Sequence, residues 1–196
     1  MHEIHRWILA AGLLSASAAQ ATSSNSDIEA LAATCNNCHG VNGVSVGPSM
    51  PSIAGLPEFY LRNVMLQWKK GKRFAATMDR LIKGYTDEQI AALAQFFSRL
   101  PWTPVAQEGD ALLLAQGKAA TSGCRNCHGA SGGEPDEANT PNLNGQWAGY
   151  LELELLKCRD TDARTKIPFA KMRSSCRKLD AADVRAAAAY YAAQRK

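Results

Sequence analysis

The chain has 196 residues, 46% of them hydrophobic, and a formal net charge of +4, which suits one medium or two small globular domains. It has no basic stripe interleaved with aromatic residues, and this argues against a nucleic-acid partner. Residues 1–21 combine a basic start at Arg6, an apolar run too short to span a bilayer and a small-residue cleavage site. They predict a secretory signal peptide rather than a retained anchor, and so a soluble periplasmic protein with no transmembrane segment in the mature chain.

The first half of the mature chain is predicted to be a succession of helices. A helical stretch over 27–33 precedes a Cys-x-x-Cys-His motif at 35–39, and a loop rich in Gly and Pro follows. A helix then begins near Pro57 and leads to the basic cluster 69–73, which is either a solvated helix C-terminus or a docking face for an acidic partner. Thr86 begins a closing helix with a capping-box sequence. Its apolar residues recur at helical spacing: Ile90, Leu93, Phe97 and Leu100.

The second half repeats this order of elements. A helical stretch over 110–120 precedes a second Cys-x-x-Cys-His motif at 124–128, which follows the first by 89 residues. A helix begins near Gln146, and a helix capped by Asp180 closes this half. A repeat of this length indicates a duplicated domain rather than a solenoid. No segment alternates convincingly with the period of a strand, so the predicted fold class is all-α.

A stiff linker is predicted between the two halves, because Pro101 and Pro104 are close enough to stop a helix and restrict the chain. We therefore place the first domain at 22–102 and the second at 103–196. Each domain has fewer than one hundred residues and few large apolar side chains. A domain of this kind is marginally stable unless a bound group completes its core.

The two Cys-x-x-Cys-His motifs predict two covalently bound c-type haem groups. Two thiols separated by two residues can form thioethers with the two vinyl groups of one porphyrin, and the following histidine can bind iron. A redox dithiol would need a βαβ setting, and zinc would need four cysteine or histidine ligands. The sequence offers neither. The predicted haem attachments are Cys35, Cys38, Cys124 and Cys127, and the predicted iron ligands are His39 and His128.

The sixth iron ligand cannot be histidine, because the only histidines outside the predicted signal peptide are those of the two motifs. A methionine, another side chain or water must complete each coordination sphere. Met78 and Met172 occupy matching places in the repeat, and they are the predicted ligands because His/Met iron is typical of electron-carrying cytochromes. Met50 lies too near its motif to reach the other haem face, and Met65 falls in a helix as a core residue. Iron with six ligands has no open place for substrate, so we expect an electron carrier rather than an enzyme.

The sequence resembles the two-domain class I cytochromes c, and within them the dihaem cytochrome subunit of flavocytochrome c sulfide dehydrogenase. The resemblance covers most of residues 27–195, and the segment Met78 to Tyr85 points to the sulfide dehydrogenase branch. It implies two tandem class I cytochrome c domains related by a pseudo-two-fold duplication. The matching stretches are 35–40, 47–55, 77–85, 145–147 and 171–173.

This resemblance implies a periplasmic electron-accepting subunit whose partner is an FAD-containing flavoprotein that oxidises sulfide. Electrons would then pass singly to another cytochrome or to a terminal oxidase. The resemblance also implies that the Pro48 carbonyl accepts a hydrogen bond from His39 and so orients the imidazole ring, with no clear counterpart in the second half. The alternative within the same class is a free dihaem shuttle to a terminal oxidase.

Cys158 and Cys176 lie outside the haem motifs and leave several interpretations open. In an oxidising compartment the pair predicts a disulfide, and buried free thiols are another outcome. A third interpretation makes one of them a thiolate ligand to the second haem. The chain would then resemble the thiosulfate dehydrogenases, which are also dihaem proteins and have iron with His/Cys ligation. Under that interpretation the chain would be a haem enzyme acting on a sulfur compound.

Overall fold

The structure, a computed structural model, describes residues 25–105, 107–137, 140–160 and 170–195. In these ranges the regular secondary structure is helical and no strand occurs, so the predicted all-α class is confirmed. None of the helices in these ranges has the length and apolar character needed to cross a membrane. The predicted signal peptide at 1–21 lies outside the described residues.

The first half is built on two helices that both pack against its closing helix. Its helices are α1 (Asn25–Ala33), α2 (Asn36–His39), α3 (Glu58–Lys69), α4 (Met78–Leu81) and α5 (Asp87–Ser98), with 3-10 turns at Val41–Gly43 and Ile82–Gly84. Helices α1 and α3 pack against α5. Three of the four residues predicted from helical spacing lie in α5 and are buried: Ile90, Leu93 and Phe97. Their burial confirms that the closing helix presents one apolar face to the core.

The second half repeats this frame. Its helices are α6 (Ala111–Ala120), α7 (Arg125–His128), α8 (Ala148–Arg159), α9 (Ala170–Cys176) and α10 (Ala181–Ala192). Helix α10 packs against α6 and α8. Gly117 lets α6 approach α10 closely, because a Cβ at this position would collide with the Ala186 carbonyl oxygen. The core of this half contains Leu151, Ala188 and Tyr191.

Both closing helices begin with a capping box, which confirms the box predicted at Thr86 and the cap predicted at Asp180. The Gln89 N–H donates to the Thr86 hydroxyl at 3.1 Å, and the Thr86 N–H donates to the Gln89 side chain at 2.9 Å. Asp180 and Asp183 make the same reciprocal pair at the start of α10. These bonds satisfy backbone donors that the first helical turn leaves free, so they fix where each closing helix begins.

The duplication extends to the backbone of the loop that follows each motif. The Gly55 N–H donates to the Phe97 carbonyl at 2.8 Å, and the Gly145 N–H donates to the Tyr191 carbonyl at 2.9 Å. Each bond ties the end of the loop to the closing helix of its own half. The two loops therefore return to the same place although their sequences differ.

Hydrogen bonds between polar groups join the two halves. The Gln146 side chain accepts from the Ser52 N–H and donates to the Ser52 carbonyl, both at 2.9 Å. The Trp147 indole N–H donates to the Ser45 carbonyl at 3.0 Å. Gln146 and Ser52 are buried, and hydrogen bonds shielded from water in this way hold the two halves in one relative placement.

Candidate functional site

Each Cys-x-x-Cys-His motif forms a single helical turn that buries its histidine. In the first half the His39 N–H donates to the Cys35 carbonyl at 2.9 Å, and in the second the His128 N–H donates to the Cys124 carbonyl at 3.0 Å. Gly40 then leaves the first turn at φ 77°, where a Cβ would collide with the Val44 carbonyl oxygen. The exit from the motif therefore requires glycine.

A proline carbonyl orients the imidazole ring in both halves. His39 Nδ1 lies 2.8 Å from the Pro51 carbonyl oxygen, and His128 Nδ1 lies 3.0 Å from the Pro141 carbonyl oxygen. With Nδ1–H donated in this way, Nε2 is the nitrogen left to bind iron. Burial lowers the pKa of both histidines, and the carbonyl contact opposes this only in part. The neutral imidazole, which is the form that binds metals, is therefore favoured.

The prediction that the Pro48 carbonyl orients His39 is wrong. That carbonyl lies between the two halves, where it accepts a hydrogen bond from the Tyr150 N–H at 3.1 Å. The second half needs no counterpart to Pro48, because Pro141, which matches Pro51 in the repeat, supplies the carbonyl that orients His128. The loop between the motif and the proline differs in sequence between the halves. Four residues after each proline, a glycine N–H donates to the closing helix. This bond fixes the segment that begins at the proline, so that the proline carbonyl lies beside the histidine in both halves.

The motif cysteines suit thioether attachment better than dithiol redox chemistry or zinc binding. All four are free thiols. Burial raises the pKa of Cys35 and of Cys124, whereas a reactive dithiol has a lowered thiol pKa. Within the described part of the chain, no group of three or more His, Cys, Asp or Glu side chains could hold a metal ion, so further zinc ligands are absent there.

A cavity of about 520 Å³ brings the second motif and its predicted methionine together. Its lining includes Cys124, Cys127, His128 and Met172, which are the four residues predicted from the sequence for the second haem. A space of this size is within the range of cofactor sites. Two thiols, one imidazole and one thioether are the donors that a c-type haem with His/Met iron needs. The residues present therefore fit a covalently bound haem.

The methionines of the first half occupy three different settings. Met78 is the first residue of α4 and is partly buried. Met65 packs against the core cluster of this half, which confirms its predicted core role. Met50 lies in the loop after the first motif, where its N–H donates to the Gly47 carbonyl at 3.3 Å. Met78 thus has the place in the repeat that Met172 has in the second half, and its ligation stays a prediction.

A characterised electron-transfer protein matches this arrangement along most of its length. Cytochrome c4 of Pseudomonas aeruginosa is 34% identical over 175 residues, which cover 83% of this chain and 84% of that protein. The chain belongs to the cytochrome c4 family. It is a dihaem electron-transfer protein rather than an enzyme, and it binds two covalent haem c groups.

Further relatives agree on the family and differ in how much of the chain they match. The thiosulfate dehydrogenase electron acceptor of Thiomonas intermedia is 32% identical over 174 residues, covering 83% of this chain and 79% of that protein. The cytochrome subunit of sulfide dehydrogenase from Chlorobaculum tepidum is 38% identical over 72 residues, covering 37% of this chain and 64% of that protein. No protein-family model matches the chain.

A solved structure confirms the two-domain architecture. Reduced cytochrome c4 from Pseudomonas stutzeri superposes with a TM-score of 0.73 at 26% identity, over 87% of this chain and 98% of that one. The predicted dihaem class I cytochrome c with two tandem domains is therefore confirmed. The likeness to the sulfide dehydrogenase subunit, in contrast, covers little more than a third of the chain.

In this member of the cytochrome c4 family, side chains of the first half also line the second haem cavity. Tyr60 and Arg73 do so beside Tyr150 and Glu154. Arg73 Nη2 lies 2.8 Å from Glu154 Oε2, and the two side chains are only 10% and 18% exposed. Burial raises the pKa of Tyr60 and, well above its ordinary value, that of Tyr150. Both hydroxyls therefore stay protonated at neutral pH, and the ion pair is the charged element of the cluster.

This cluster cannot be recognised from the sequence, in which the basic residues 69–73 look like one exposed group. The structure divides them. Lys69 ends α3 and pairs with Asp87 at 2.6 Å, whereas Arg73 turns inward to Glu154. Tyr60 and Tyr150 stand 90 residues apart at matching places of the repeat, and this match is a sequence signal for the region.

Cys158 and Cys176 form a disulfide, which confirms the first interpretation of these cysteines. The alternative, in which one of them is a thiolate ligand to the second haem, is wrong because each sulfur is already bonded to the other. The haem-enzyme interpretation of thiosulfate dehydrogenase type depended on that thiolate and falls with it.

Proposed function

We propose that this chain is a periplasmic electron carrier in which each haem iron has one histidine and one methionine ligand. The observation that carries the proposal is the second cavity, whose lining contains all four residues required there. The haem groups supply reversible one-electron chemistry. The thioether attachments are Cys35 and Cys38, then Cys124 and Cys127, and the axial pairs are His39 with Met78 and His128 with Met172.

The polypeptide contributes by holding both axial positions. The carbonyls of Pro51 and Pro141 fix the histidine tautomer and the plane of each ring. Met78 and Met172 would supply a thioether to each iron, which would favour the ferrous state and so raise the potential. Two protein ligands leave no position for substrate, and this arrangement suits outer-sphere electron exchange with partner proteins.

We propose a dehydrogenase of reduced sulfur compounds as the electron donor. The segment Met78 to Tyr85 and the shorter match to a sulfide dehydrogenase cytochrome subunit support a sulfide-oxidising, FAD-containing flavoprotein. The match to a thiosulfate dehydrogenase electron acceptor along most of both chains supports a thiosulfate-oxidising donor as the second candidate. Another cytochrome or a terminal oxidase would then receive the electrons.

Stopped-flow absorbance on the oxidised holoprotein tests the choice of donor. One arm mixes it with a flavoprotein sulfide dehydrogenase and sulfide, and the other with a thiosulfate dehydrogenase and thiosulfate. We expect one donor to reduce both haems at its turnover rate, and the flavoprotein arm also predicts that an FAD protein co-purifies from native cells. If neither donor reduces the protein while the chemically reduced form still reduces an oxidase, the free shuttle replaces the sulfur-donor proposal.

A further inference from the structure

The second half carries a covalent cross-link next to its proposed methionine ligand. The Cys158–Cys176 disulfide joins the last turn of α8 to the last residue of α9, with the Cα atoms 5.7 Å apart. Both cysteines are buried, at 0% and 3% exposure, and Cys176 lines the haem cavity. The cross-link is therefore an internal part of the wall around the second site.

Met172 lies directly against this cross-link. Met172 and Leu155 pack on the disulfide in one small cluster, and Cys158 Sγ lies 3.7 Å from the Met172 carbonyl oxygen. Met172 and Cys176 are four residues apart in α9, which places them on the same helix face. A separation of α9 from α8 would therefore carry the thioether away as well.

The first half supports its methionine without a cross-link. Trp68 stands where the repeat has Cys158, and Ile82 stands where it has Cys176. The connection from Cys158 to Met172 is four residues longer than the one from Trp68 to Met78, and a longer connection costs more entropy to close. In the first half the burial of Ile82, at 2% exposure, anchors the shorter connection. In the second half the disulfide supplies that anchor.

We propose that the Cys158–Cys176 disulfide is the positioning element that keeps Met172 on the iron of the second haem, so that this haem alone depends on a cross-link for its sixth ligand. The inference rests on the Met172 ligation proposed above. With the disulfide intact, an added ligand must compete with a tethered thioether. Without it, Met172 leaves more readily, and an added ligand binds on the order of ten- to a hundredfold more tightly.

The test is an absorbance titration of the ferric holoprotein with imidazole. It compares the wild type with the double variant Cys158→Ala/Cys176→Ala, which leaves no unpaired thiol. In the double variant we expect the second haem to bind imidazole on the order of ten- to a hundredfold more tightly and to lose its thioether-to-iron charge-transfer absorption. The first haem should not change. The matched control, Ile82→Ala, alters the corresponding place in the first half and should leave the second haem at its wild-type affinity.

Three outcomes separate this inference from the ligation on which it rests. Equal imidazole affinity in the wild type and the double variant would overturn the positioning role. Unchanged charge-transfer absorption in Met172→Ala would overturn Met172 ligation, and the positioning role with it. If the double variant does not accumulate, the wild-type disulfide is reduced with a dithiol under carbon monoxide. The ferrous second haem should bind carbon monoxide only after that reduction, and equal binding before and after would overturn the inference.

Discussion

The two halves share the histidine side of their haem sites and differ on the methionine side. In both halves a proline carbonyl lies within 3.0 Å of the histidine Nδ1. On the other side, the first half has the short helix α4 beside a buried Ile82, whereas the second half has a longer connection and a disulfide. One type of attachment turn is therefore combined with two different ways of supporting the proposed sixth ligand.

The wall of the second cavity adds a further difference. Tyr191 lies in that wall, and the matching residue of the first half is Phe97. The first half also contributes Arg73 and Tyr60 to the second cavity. Since charged and polar groups around a haem tune its potential, we expect the two irons to have different potentials.

Removal of one pair of motif thiols should have the largest effect, because one half should then lose its haem while the other keeps it. Cys124→Ala/Cys127→Ala should abolish covalent attachment in the second half and leave the first haem in place. Haem absorbance and the mass of the denatured chain then give one covalent haem per chain instead of two. The mirror variant, Cys35→Ala/Cys38→Ala, should lose the other haem. Two covalent haem groups in either variant would contradict the assignment of the thiols.

Replacement of each proposed methionine ligand should lower the reduction potential of the haem in its own half only. In Met172→Ala the loss of the thioether should lower the potential of the second haem by roughly 0.1 V or more, a fraction of the ~0.8 V range that axial ligands set. Met78→Ala should do the same to the first haem only. A spectroelectrochemical titration measures both steps. The assignment fails for any methionine whose loss leaves both potentials where they were.

The Arg73–Glu154 pair tests how far the second site depends on the first half. Arg73→Gln removes the guanidinium from the partly buried Glu154, which keeps its ion pair with Lys157, so the free energy of unfolding should fall by about 1 kcal/mol, between the values for exposed and buried pairs. The potential of the second haem should also fall, because a nearby positive charge favours ferrous iron. Lys69→Gln is the matched control, since the Lys69–Asp87 pair is more exposed and should matter little. Urea denaturation that shows equal loss in both variants would contradict this account.

The partly buried tyrosines between the halves, Tyr60 and Tyr150, predict a smaller, pH-dependent effect. Burial raises the pKa of Tyr60 and Tyr150 above the ordinary value of 10.0. The folded protein therefore keeps protons that the unfolded chain releases, and the free energy of unfolding should fall as the pH rises above about 10. Tyr150→Phe should flatten this decline above about pH 10 in urea denaturation. An identical decline in the variant would place the titrating groups elsewhere.

The sequence singles out the proposed attachment and axial residues because haem chemistry requires close or repeated spacing, and the structure brings the four of the second half together around one cavity. Two thiols and a histidine must lie within five residues to meet one porphyrin, and the repeat then singles out Met172 as the match of Met78. The capping boxes at Thr86 and Asp180 are local patterns of the same kind. The domain limits at 22–102 and 103–196 stay a prediction.

The contacts between the halves could not be predicted, because no local pattern encodes them. The Arg73–Glu154 pair joins residues 81 apart in sequence, and the Ser52–Gln146 bonds join residues 94 apart. Arg73 belongs to a run of basic residues that suggests an exposed cluster, and only the packed structure shows that it turns inward. The prediction that the Pro48 carbonyl pairs with His39 was wrong for the same reason, since that carbonyl accepts a hydrogen bond from Tyr150 of the other half.

A potentiometric titration of the purified holoprotein, with carbon monoxide added once the protein is fully reduced, tests whether the chain is a dihaem electron carrier with no free position on either iron. We expect two haem groups per chain, two one-electron steps at different potentials, and no carbon monoxide bound by the ferrous wild-type protein. One haem per chain, or carbon monoxide bound to either ferrous iron, would contradict an electron carrier with both axial positions filled by the polypeptide.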